Sequence, residues 1–232
     1  MNSLNKRAAI IAGTLIILGM ISGILSIVPS VEGTDYLTEV YPNRNQVLTG
    51  ALFQFLLVPI YIGFSLVLYQ ILKDYKETLA LGFVGFRLMA GVFQLIGVIL
   101  LPLFIYLSQL YLNSAPSDLA YFEYLGNLLK LFRDLTNHLG VMLATGLGNL
   151  ILYTIFYQGN YIPKWLSAWG ILGNVLIMSA SFLILFQLTE VVSTTYILLT
   201  IPVVLQEIVL AIWLIVKRLD LSIVNLEDGD IV

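Results

Sequence analysis

Six apolar runs constrain this chain more than anything else in it, each about the 20 residues a helix needs to cross a hydrocarbon core of roughly 30 Å. They lie at about 8–28, 47–72, 79–105, 137–157, 165–188 and 194–216. Backbone groups in lipid must find their hydrogen bonds within the segment, so runs this long are expected to be helices. Composition points the same way: 59% of the 232 residues are hydrophobic and 11% are charged, against about 25% charged in an ordinary soluble domain. The expected fold is therefore all-α: a polytopic membrane bundle of six transmembrane helices plus one interfacial amphipathic helix, with both termini cytoplasmic. The first run follows Lys6 and Arg7. It exceeds the apolar core of a cleaved signal and lacks a small-residue cleavage site, so it reads as a retained helix.

Orientation follows from the basic residues. Lys6, Arg7, Lys73, Lys76, Lys164, Lys217 and Arg218 fall on one side, and Arg44, Lys130 and Arg133 on the other. The richer side is expected to be the cytoplasm, which puts the segments 29–46 and 106–136 outside. Residues 1–218 are expected to form one domain, followed by a short acidic tail at 219–232 that contains Glu227, Asp228 and Asp230.

The outer segment before the fourth run has its own pattern. Asn113-Ser114-Ala115-Pro116 breaks the preceding helix, and Ser117 and Asp118 suit the cap of a new one. Glu123, Asn127, Lys130, Asp134 and Asn137 then recur at spacings of three and four as a polar stripe, opposite Phe122, Leu125, Leu129, Phe132 and Leu135. This spacing predicts an amphipathic helix over about 117–136, with Phe122, Leu125, Leu129 and Phe132 shielded and Glu123, Asn127 and Lys130 wet.

Residue types also narrow the chemistry. The chain has no cysteine and one histidine, which removes thiolate metal sites, iron–sulfur clusters and bis-histidine haem. No metal or other cofactor is expected. The bases are scattered and net charge is −3, so nucleic acid is not an expected partner. Neither H-E-x-x-H, nor a Walker loop, nor a G-x-S-x-G elbow occurs, and no second acid accompanies the one inside a run. An enzyme is not expected; membrane lipids are the expected surroundings, with a small-molecule ligand or a membrane-protein partner left open.

Some stretches carry a resemblance. Pro163-Lys164-Trp165-Leu166 opens the fifth run, Arg87 stands in Phe86-Arg87-Leu88, and the sixth run reads Pro202, Glu207 and Trp213-Leu214-Ile215-Val216-Lys217. Over about residues 7–218 the chain resembles the bacterial integral-membrane family known as domain of unknown function 4386. The resemblance implies a six-helix protein of a bacterial cytoplasmic membrane and supplies no activity. Members often follow the final lysine with glycine, where this chain has Arg218.

A charge at the centre of a membrane helix costs about 2.5–3.5 kcal/mol on insertion scales, so each one needs a partner or a task. Arg87 and Glu207 are two such charges. Counted at 1.5 Å per residue, both lie roughly 12–14 Å from the inner boundary, as do Asn149 and Asn174. Two readings follow for this layer. In one, Arg87 and Glu207 form a buried ion pair, completed by the asparagines. In the other, the four line a small polar cavity in which Arg87 receives an anionic or carbonyl group. Secondary candidates are Gln54 and Gln94, expected to bond between helices, and His138, one helical turn after Asp134 and thus placed to be held by that carboxylate. Gln206 is expected on a different face from Glu207. The small residues Gly19, Gly23, Gly140, Ala144 and Gly148 are expected to allow close helix packing.

Overall fold

The computed structural model describes residues 3–191 and 193–219, and among them there are helices and no strands. The chain order is α1 (Ser3–Leu25), α2 (Pro29–Glu32), α3 (Tyr36–Glu39), α4 (Arg44–Leu112), a 3-10 turn (Pro116–Asp118), α5 (Leu119–Asp134), a π-turn (Leu135–Val141), α6 (Met142–Gln158), α7 (Lys164–Leu185) and α8 (Thr194–Val216).

The second and third apolar runs share one element. The helix α4 is interrupted at a single residue, Lys76, whose extended backbone (φ −149°, ψ 87°) folds it back on itself. Its arms, 44–75 and 77–112, run antiparallel: Phe64 meets Phe83 edge-on with ring centroids 6.0 Å apart, and a Cβ on Gly91 would touch Val58 and Ile62. Residues 73–78 read as a connector from sequence, yet they contain no Gly or Pro, and Lys and Glu favour helix. Helical backbone therefore continues to either side of the break. Lys76 Nζ donates to Gln158 Oε1 at 2.9 Å, which ties the break to the end of α6.

Helices pack in a closed ring, with α1 touching α4 and α8, α4 touching α6, α6 touching α7, and α7 touching α8. At one end of this ring Leu68, Leu72, Phe83, Phe156, Tyr161 and Leu166 build a fully buried cluster. At the other end, the segment expected as a plain loop at 29–46 forms α2 and α3 and buries Val31, Tyr36, Leu37 and Val40 against Leu101 and Phe104. Among the described residues five helical stretches are long and apolar enough to cross a membrane, with α4 counted as one and the continuous segment 116–158 as another. Exposed Leu, Ile and Val line their outer sides, which in lipid is the ordinary state of a spanning helix.

The amphipathic helix is present but differs from expectation in three ways. Asp118 occupies its N-cap position without a side-chain hydrogen bond to the helix; its carboxylate accepts from Ser117 Oγ at 3.0 Å. Phe132 is 51% exposed rather than shielded, and with Tyr121, Tyr124, Leu128 and Leu131 it forms an exposed apolar strip. Lys130 is half-buried, since its ammonium donates to the backbone carbonyls of Glu32 and Gly33, each at 2.9 Å. The helix thus has three sides: Phe122, Leu125 and Leu129 pack inward, Glu123 and Asn127 are exposed, and the strip faces outward.

Three helices end on left-handed residues that are not glycine: Asn160 (φ 48°), Gln187 (φ 56°) and Arg218 (φ 69°). The Leu188 amide reaches back to Leu183 O at 2.8 Å and closes α7 there, so Leu188 lies outside the helix that the apolar run suggested. Leu219, expected in the tail, is buried. The rest of the acidic tail, 220–232, lies outside the described residues.

Candidate functional site

Helix spacing puts Thr145, Asn149 and Tyr153 on one face of α6, four residues apart, and this face looks into the middle of the ring. From the second arm of α4, Arg87 reaches the same place and is 5% exposed. Its Nη2 donates to Asn149 Oδ1. Asn149 in turn donates to Asn174 Oδ1 at 3.0 Å, and Asn174 donates to the Gly170 carbonyl of its own helix at 2.8 Å. One hydrogen-bonded chain therefore crosses three helices. The guanidinium also lies 5.0 Å from the Phe64 ring centroid and 5.6 Å from those of Tyr61 and Phe83, within range of cation–π attraction.

Arg87, Asn149, Tyr153, Asn174 and Phe64 form part of the wall of a cavity of about 210 Å³. Glu207 of α8 lies on the same wall, with Tyr61, Thr145 and Thr200; Leu15, Ile16, Ile60, Ile177 and Val203 supply apolar lining. The structure thus brings together all four residues of the expected polar layer, but not as the expected ion pair. Among the described residues the salt bridges within 4.0 Å belong to Arg133, so Arg87 and Glu207 make none. Arg87 is held instead by Asn149 and the three rings. Its Nε and the Thr145 hydroxyl are buried without a hydrogen-bond partner.

The neighbouring Gln206 is fully buried on a different side of α8, where Tyr153 Oη donates to its Oε1 at 2.8 Å. Gln54 Nε2 donates to Asn137 Oδ1 at 3.3 Å across helices, as expected, whereas Gln94, buried on the second arm of α4, makes no such bond among the described residues. His138 does not pair with Asp134. Its Nδ1 lies 2.9 Å from Tyr196 Oη, and the two rings stack edge-on. The π-turn at Leu135–Val141 has a wider repeat than an α-helix, so residues four apart across it no longer stand one above the other. Asp134 instead approaches Arg133, 4.0 Å away. Its carboxyl is held above the ordinary value by burial and by Glu32, against the lowering effect of Arg133 and Lys130.

Among the described residues the close ion pair with a buried arginine is elsewhere. Arg133, 5% exposed, donates through Nη1 to Glu32 Oε1 at 2.7 Å. Sequence reasoning counted Arg133 only as a loop charge; its place on the inward face of α5, with Phe122, Leu125 and Leu129, was legible from helical spacing. Thr145 and Tyr153 were legible in the same way, one turn to either side of Asn149.

A ring of long apolar helices around a buried polar layer defines a polytopic α-helical membrane protein. The chain belongs to the family described as Domain of unknown function (DUF4386), whose model matches residues 11–217. No curated protein and no solved structure matches it.

Proposed function

We propose that this protein binds a small amphiphilic molecule, with an acidic or carbonyl head and an apolar body, inside a bundle that crosses a bacterial cytoplasmic membrane six times with both ends in the cytoplasm. The role is binding or transport without catalysis. One observation carries it: Arg87 Nε and the Thr145 hydroxyl are buried donors without partners on the wall of one cavity. Leaving such groups unpaired costs roughly 1–3 kcal/mol each, and a head group with acceptor oxygens would satisfy both. Glu207, which lines the same cavity and makes no salt bridge among the described residues, disfavours a guest with more than one acidic group. A second recess of about 510 Å³ along the outer half of α8, between Ile27, Tyr196 and Leu205, shares Thr200 and Val204 with the cavity. It offers an apolar guest a way in from the lipid.

The alternative, a purely structural layer, is favoured by the support Arg87 already receives from Asn149 and three aromatic rings. The two readings separate in a melting experiment on protein in lipid nanodiscs with decanoate or decanol added. A guest that binds the folded state raises Tm with concentration. Binding predicts that decanoate raises Tm more than decanol, that Arg87→Gln and Arg87→Lys both abolish the difference, and that Glu207→Gln keeps it. The lysine variant retains the charge but lacks Nε. Equal responses to decanoate and decanol in the unaltered protein would leave only the structural role.

A further inference from the structure

A second polar recess lies at the opposite level of the bundle from α5, where α6 ends, α7 begins and α8 ends. It measures about 530 Å³ and is lined by Tyr161, Pro163, Lys164, Trp213, Lys217 and Arg218, among others. Pockets of about 300–1,000 Å³ are the usual size for small ligands and head groups. Three of its six named residues are cationic. Lys164 and Lys217 are exposed, while Arg218 is half-buried and its Nε is buried without a hydrogen-bond partner. Arg218 adopts a left-handed backbone (φ 69°) two residues after the end of α8. A glycine would take that conformation without steric cost, whereas an L-residue such as arginine is strained in it.

Tyr161 supplies the second, independent observation. It is 1% exposed, and its phenol oxygen is buried without a partner. Burial, with Asp74 and Tyr75 nearby, pushes its pKa up to about 12, so the hydroxyl stays a donor across the ordinary pH range. The start of the 22-residue helix α7 adds its positive dipole end. Trp213 lines the recess and Trp165 is exposed one residue beyond Lys164, which sets this level at a lipid–water boundary, where indoles collect.

We infer that this recess is a binding site for the phosphate head group of an anionic phospholipid, held by Lys164, Lys217 and Arg218 with the Tyr161 hydroxyl as a neutral donor. Charge complementarity selects the occupant: among the described residues that line the recess three are cations and none is an acid, two buried donors lack partners, and Asp74 acts on Tyr161 from outside the lining. Basic pockets between spanning helices at a membrane surface hold lipid head groups by this chemistry. The inference is independent of the Arg87 cavity and does not depend on which side of the membrane the recess faces.

Fluorescence quenching tests it directly. The full chain carrying Trp165→Phe and Trp169→Phe, with Trp213 as sole indole, is reconstituted in phosphatidylcholine vesicles. A minority of dibrominated phosphatidylglycerol or, separately, of dibrominated phosphatidylcholine is included. The expected result is stronger quenching by the brominated phosphatidylglycerol. Each of Lys164→Gln, Lys217→Gln and Arg218→Gln lowers the apparent preference about fivefold, as expected for one charge at a membrane surface. Tyr161→Phe, which preserves the packed ring, lowers it as well. Equal quenching by the two lipids, or a preference untouched by the triple glutamine variant, overturns the inference. So does complete displacement by inorganic phosphate, which would make the site one for free phosphate. A preference that arises only after Glu227, Asp228 and Asp230 are changed to their amides also overturns it, by showing that the chain's own tail occupies the recess.

Discussion

Replacing Glu32 by Gln tests the ion pair that replaced the one expected from sequence. The Arg133–Glu32 contact is 2.7 Å, with Arg133 side-chain exposure of 6% and Glu32 of 30%. Breaking a fully buried pair costs about 3–5 kcal/mol. Because Glu32 still sees solvent, that figure is discounted toward the value of exposed pairs, about 0.2–1 kcal/mol. A coupling energy of about 2 kcal/mol is the resulting expectation. The assay is a double-mutant cycle of Glu32→Gln, Arg133→Met and the combination, each unfolded in detergent by titrated denaturant. Glu32→Gln should destabilise more than Lys130→Met, since Lys130 meets the carbonyls of Glu32 and Gly33 and the Tyr36 ring rather than a carboxylate. The double variant should lose clearly less than the sum of the singles. Additive losses, or a coupling below about 0.5 kcal/mol, the noise of additivity for independent sites, would refute the claim that this pair fastens α2 to α5.

Gly170→Ala should destabilise by about 1–3 kcal/mol, the range for overpacking, because the new methyl would lie 2.6–2.7 Å from the Tyr153 ring. Thermal unfolding measures this, and combining it with Tyr153→Leu should recover part of the loss. Gln187→Gly should raise stability by up to about 1 kcal/mol, since a left-handed conformation costs L-residues about 1–2 kcal/mol, whereas Asn160→Gly should change it little, asparagine tolerating that conformation. Asp134 is more easily protonated in the folded than in the unfolded protein. Its contribution is therefore full below its unfolded value, near the ordinary 3.8, and is lost as pH rises through its higher folded value. Asp134→Asn should flatten that part of a stability–pH profile and leave the alkaline part unchanged.

What the sequence disclosed and what it hid divide along physical lines. Membrane-spanning segments were legible because lipid demands long apolar runs, and the shared level of Arg87, Asn149, Asn174 and Glu207 was legible because helix rise is constant. Azimuth was harder to read than depth. Equal depth suggested that Arg87 meets Glu207, but an asparagine on α6 and a cage of rings stood closer, and neither could be ranked without the ring order of the helices. The π-turn escaped detection too: nothing in Leu135-Thr136-Asn137-His138 distinguishes a wide turn from an ordinary one, so the Asp134–His138 spacing misled. Segment 29–46 read as a loop because its helices span four residues each, below the length at which periodicity can register.

The single-residue break at Lys76 also restricts how this chain can vary. Each residue in a helix advances its face by about 100°. With no slack at the turn, adding or removing one residue there would swing the second arm by that angle, and Arg87 would rotate from the cavity toward the lipid. The segments around α2 and α3 carry no such gearing, since what precedes the first arm does not set the phase between the two arms. Length differences within the family should accordingly gather outside residues 64–87, and a chain altered in length inside that span should have its intramembrane charge at another position.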